Sequence, residues 1–88
     1  MMLMPEVWED MTLQARSRLL VSVFGEWAEG QSATRVLERF PYFEVLRYPP
    51  GTLVVASVFS DGTWYRRVAR TVDDAILKAA LSAFRISV

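Results

Sequence analysis

Eighty-eight residues of zero net charge, without histidine or cysteine, exclude a disulfide scaffold, a thiolate metal site and the imidazole chemistry of most neutral-pH enzymes. An apolar share of 52% argues against disorder and suffices for one modest core, so residues 1–88 read as a single domain. No apolar run approaches the roughly 18 residues of a spanning helix, and the opening MMLMPEVWED lacks a basic stretch and turns acidic, so a cytoplasmic location is expected.

Charge is uneven along the chain. Residues 1–44 carry seven acids and four bases, whereas 45–88 carry three acids and six bases. The imbalance is too small to announce a nucleic-acid protein by itself.

Met4, Val7, Trp8 and Met11 fall at i, i+3, i+4 and i+7, and Pro5 fits a first helical turn. Leu13, Leu20, Phe24 and Trp27 continue the stripe, with Leu19 and Val23 beside it. The spacing predicts helix from Pro5 to Ala28, with a break allowed near Asp10–Thr12, where either residue could cap a second start. Gly30 ends this segment. Ser32 then caps a short helix from Ala33 to Phe40, which Pro41 stops.

Tyr42 to Tyr48 reads as the first strand, and Pro50-Gly51 fits the centre of a type II turn. Asp61-Gly62 between Val-rich and aromatic runs predicts a two-residue type I′ hairpin. That loop sets Ser60 opposite Thr63, Phe59 opposite Trp64, Val58 opposite Tyr65 and Val55 opposite Val68. One face then carries Leu53, Val55, Ser57, Phe59, Trp64, Arg66, Val68 and Arg70. The other carries Val54, Ala56, Val58, Tyr65, Arg67 and Ala69. Neither face is plainly polar, so both are expected to be covered at least in part, with Trp64 in the core.

Thr71 is a good N-cap, and Asp74 three residues on completes a Thr-x-x-Asp capping box. Val72, Ile76, Ala79, Ala80, Ala83 and Phe84 then recur at helical spacing, the alanines permitting close approach to the sheet. The fold class is α+β: an N-terminal helix, a short helix, a three-stranded antiparallel meander and a C-terminal helix packed on the sheet. The N-terminal helices are expected on the opposite sheet face or at an edge.

Reactive groups are scarce. The carboxylate sets Glu6 with Glu9 and Asp10, Glu26 with Glu29, and Asp73 with Asp74 lie on wet helix faces or in a cap. No serine has a histidine to activate it, and no Gly-rich phosphate loop occurs. No catalytic, cofactor-binding or metal residue is assigned, and the chain is not expected to be an enzyme.

Two surpluses remain. The Met4, Val7, Trp8, Met11 stripe is either core or the seam of a homodimer or partner interface, since Met and aromatics concentrate at interface centres. The segment Trp64-Tyr65-Arg66-Arg67 with Arg70 mixes bases and aromatics, as single-strand nucleic-acid platforms do. The register splits that segment between the two faces, and strand arginines more often solubilise edges by pairing with carboxylates such as Glu44. The expected function is therefore protein binding, through Met4, Trp8 and Met11 on the helix and Arg66, Arg67 and Arg70 on the sheet. Nucleic-acid binding by the strand arginines and a structural homodimer are the alternatives.

The aromatic pair Trp64-Tyr65, the helix opening at Thr71, and the run Ala75-Ile76 with Ala79-Ala80-Leu81 resemble the small phage proteins of the ABA-sandwich type. The likeness is confined to the C-terminal third, and the Met- and Trp-bearing N-terminal half departs from it. The resemblance implies a phage or prophage accessory protein without catalytic residues. By analogy with anti-CRISPR proteins and host-polymerase inhibitors, it implies action by occupying a host complex.

Overall fold

The structure is a computed structural model that describes residues 8–29, 32–48, 53–86 and 88. Met4, the end of the first helix at Gly30 and the Pro50-Gly51 turn lie outside the described residues. The order is a 3-10 turn at Trp8–Asp10, α1 at Leu13–Phe24, a second 3-10 turn at Glu26–Ala28 and α2 at Ala33–Leu37. Strands β1 (Tyr42–Tyr48), β2 (Leu53–Ser60) and β3 (Thr63–Ala69) follow, then α3 (Val72–Ala83). This is the α+β arrangement that the sequence predicts.

The break near Asp10–Thr12 is real. Thr12 is extended, and its Oγ1 accepts a hydrogen bond from the Ala15 N–H at 3.1 Å, so α1 starts afresh at Leu13. The helix stops at Gly25 rather than running to Ala28. Gly25 has φ +98° and ψ 172°, a conformation that only glycine adopts without strain. The short helix also ends early, at Leu37, and continues through Arg39 and Phe40 as single turns donating to Val36 and Leu37 carbonyls.

Asp61 (φ 50°) and Gly62 (φ 78°) are both left-handed, as a type I′ hairpin requires. The register is the predicted one, from Ser60 opposite Thr63 to Val54 opposite Ala69. Strand β1 joins the other edge, Tyr42 opposite Phe59 through Tyr48 opposite Leu53, giving the order β1-β2-β3.

Val54, Ala56, Val58 and Ala69 point to one face and are buried against Ala75, Ile76, Ala79 and Ala80 of α3. Ala33, Val36, Leu37 and Phe40 from α2 and its extension close that core. Thr71 caps α3 by accepting from the Asp74 N–H at 3.1 Å. The far side of α3 buries Leu81 with Trp8 and Val88, and Leu19, Leu20 and Val23 of α1 pack on that cluster. The helices therefore stack outward from one face of the sheet. Of the two placements expected for the N-terminal helices, the opposite sheet face is not taken by α1, because α3 offers it an apolar back that a single amphipathic stripe would not.

Candidate functional site: the open face of the sheet

With the helices on one side, the opposite face carries β1 residues Tyr42, Glu44, Leu46 and Tyr48, β2 residues Leu53, Val55, Ser57 and Phe59, and β3 residues Trp64, Arg66 and Val68. Tyr42, Leu46, Tyr48, Leu53, Trp64 and Val68 are between 42% and 63% exposed. Trp64, expected in the core, is 52% exposed. Its register is the one the sequence predicts, but no described helix packs on the face to which it points.

The cross-strand register orders this face into rows. Tyr42, Phe59 and Trp64 form an aromatic row at the hairpin end, with centroid separations of 5.7 Å (Tyr42–Phe59) and 5.3 Å (Phe59–Trp64). Glu44, Ser57 and Arg66 form the next row, in which Arg66 Nε donates to Ser57 Oγ at 3.2 Å. Leu46, Val55 and Val68 form an aliphatic row, and Tyr48 and Leu53 a fourth. The acid and the base thus stand on opposite edge strands of an otherwise apolar surface. The expected pairing with Glu44 is not formed by Arg66, Arg67 or Arg70 among the described residues.

The remaining sequence-assigned contact residues scatter. Trp8 is 1% exposed, its Nε1 donating to Asp74 Oδ1 at 2.9 Å. Arg16 lies with Cζ 4.7 Å from the Trp8 ring centroid, donates from Nε to the Trp8 carbonyl at 2.9 Å and pairs with Asp74 at 3.4 Å. Trp8 is a core residue here, not a free docking group, because α3 supplies both its apolar wall and its acceptor. Met11 packs half-buried on the same cluster. Met4 lies outside the described residues.

Arg67 points away from Arg66, to the helix side. Its Nη1 donates to Ser82 Oγ at 3.0 Å and its Nη2 to the Val88 carbonyl at 3.1 Å, so it ties the sheet to the C-terminal segment. Arg70 is exposed just past β3 and borders a shallow hollow with Glu9, Leu53, Val68 and Asp74. Of the five assigned residues that the structure describes, Arg66 alone lies on the open face, with Arg70 at its rim. The sequence reading missed Tyr42, Leu46 and Tyr48, whose alternation with Phe43, Val45 and Arg47 held the signal.

Beside that hollow Lys78, a buried residue, donates from Nζ to Glu9 Oε1 at 2.7 Å and to the Val68 carbonyl at 3.0 Å. The Lys78 hydrogen bond, with lesser help from nearby positive charge, holds the Glu9 carboxyl below its ordinary value of 4.5. Among the described residues no three His, Cys, Asp or Glu side chains converge as a metal site would need, and no buried side-chain polar atom lacks a hydrogen-bond partner. No described helix is long and apolar enough to cross a membrane. Comparison with known proteins finds no matching family model, no matching curated relative and no matching solved structure.

Proposed function

We propose that this protein is a non-enzymatic protein-binding module whose working surface is the open face of its sheet. One observation carries the reading: six large apolar side chains share that face, each at least 42% exposed. Apolar side chains gathered in this number on one open face, on both sides of a single polar row, are costly in water and mark a contact surface. The aromatic row at one end and the charged row beside it give the mix of Tyr, Trp and Arg that interface centres favour. The narrower expectation, an inhibitor of a bacterial host complex, rests on the resemblance at Trp64-Tyr65 and Thr71–Leu81 and belongs to the same class.

Single-stranded nucleic acid is disfavoured by charge. Arg66 is the one base among the described residues of the face, Glu44 offsets it, and the chain has no net charge. Phosphate binding needs several cations along a track.

A photoreactive residue placed at Trp64, in the cells that encode the chain, tests this reading. Covalent adducts to protein are expected, and the same residue at exposed Thr34 of α2 should give none. Adducts to nucleic acid alone, or none at either position, would contradict it.

A further inference from the structure

We infer that the occupant of the open face is a second copy of this chain, stacked sheet on sheet about a two-fold axis that runs parallel to β2 over Ser57. The inference deepens the protein-binding reading and rests on it.

Symmetry provides the first argument. Rotation about an axis along the central strand lays β1 of one copy over β3 of the other and leaves each cross-strand row facing itself. The charged row then becomes self-complementary: Glu44 of one copy faces Arg66 of the other, and the reverse pair forms at the opposite edge. Sheets stack about 10 Å apart, a gap that a Glu and an Arg side chain reaching toward each other can close. Neither residue has an opposite charge within its own copy among the described residues. Both stand on edge strands, so the pairs form at the solvated rim, where they set orientation more than affinity. A two-fold axis running across the strands would instead set Glu44 against Glu44.

The apolar rows obey the same operation. Tyr42 of one copy meets Trp64 of the other, Phe59 meets Phe59, and Leu46 meets Val68. Isologous contacts of this kind are the commonest form of oligomer.

Area provides the second argument. Three half-exposed aromatics, each worth about 150–250 Å² when fully buried, give roughly 300 Å². Leu46, Leu53 and Val68 with the half-buried Val55 and Phe59 raise this to about 600 Å² over the two apolar areas that flank the charged row. Adding the charged rim brings the face near the roughly 800 Å² per partner of a stable interface.

Sedimentation equilibrium of the full chain tests the proposal, with Glu44→Arg, Arg66→Glu and the double exchange as variants and circular dichroism to verify folding. The wild type should rise from 10.1 kDa toward twice that mass with concentration. Each single variant sets like charges together and should weaken dimerisation at least about tenfold, and the double exchange should restore it. A wild type that stays monomeric up to about 1 mM overturns the inference, as does a dimer indifferent to both single variants. Strengthening by Glu44→Arg with salt-sensitive binding of single-stranded RNA also overturns it. A monomer whose Trp64 crosslinks a different protein sinks this inference and leaves the protein-binding reading intact, whereas absence of any protein adduct sinks both.

Discussion

Arg66 and Arg67 are neighbours in sequence and belong to opposite surfaces of the molecule. Arg66 lies on the open face against Ser57, while Arg67 reaches Ser82 of α3 and the Val88 carbonyl. The alternation of a strand separates an open-face residue from one that ties the sheet to α3 across a single peptide bond.

Substituting the two arginines should therefore have opposite consequences. Arg67→Ala removes two hydrogen bonds from a charged donor and is expected to cost about 1–3 kcal/mol in urea unfolding. Arg66→Ala should change stability by no more than about 0.5 kcal/mol while weakening association through the sheet face. Equal losses of stability from both would count against the assigned orientations.

Asp74 joins the N-terminal segment to α3. Its Oδ1 accepts from Trp8 Nε1 and pairs with Arg16, and the Thr71 cap uses only its backbone N–H. Asp74→Ala is expected to lower stability by about 2–4 kcal/mol, because the Trp8 indole N–H and the Arg16 charge both lose their partner. Asp74→Asn keeps an acceptor for Trp8 and should cost less, about 1 kcal/mol. Thermal unfolding of the two variants checks the order.

The Glu9–Lys78 pair predicts a pH signature. Glu9 titrates lower in the folded chain than its ordinary 4.5, so the pair's contribution is present above that value and disappears as pH falls through the folded one. Glu9→Gln should destabilise the protein at pH 7 and approach wild-type stability at acid pH. Glu9 is half-exposed, and solvent keeps the difference small. Urea midpoints for both proteins between pH 7 and pH 3 provide the measurement; a penalty that grows toward acid pH would contradict the assignment.

Core and face should respond differently to truncation. Ile76→Ala removes a buried side chain from the sheet–helix core and is expected to cost about 2–5 kcal/mol. Trp64→Ser removes a larger but half-exposed side chain and should cost only about 1 kcal/mol, chiefly its contact with Phe59. Chemical denaturation of both variants tests the contrast.

Local signals carried the hairpin and the C-terminal helix, where Asp61-Gly62 and Thr71–Asp74 act through short-range geometry. The boundary at Gly25 was harder, because apolar spacing continues through Trp27 while the backbone turns away. The placement of α1 was not legible at all. A stripe of Leu19, Leu20 and Val23 states that something must be covered but not whether it is the sheet or the back of α3. The open face was hidden for the same reason. Trp64 reads as a core residue by composition and Tyr42 and Leu46 only as members of a strand, and the three-dimensional stacking of the helices is what leaves all three in water.

The central claim is that the chain works through the sheet face, and amide chemical shifts followed over a dilution series test it most directly. Concentration-dependent shifts should cluster on Tyr42, Glu44, Leu46, Phe59, Trp64 and Arg66 and spare the outer surface of α1. Shifts that cluster on α1, or a spectrum that does not change across the series and is left unmoved at these residues by any crosslinked protein, would contradict it.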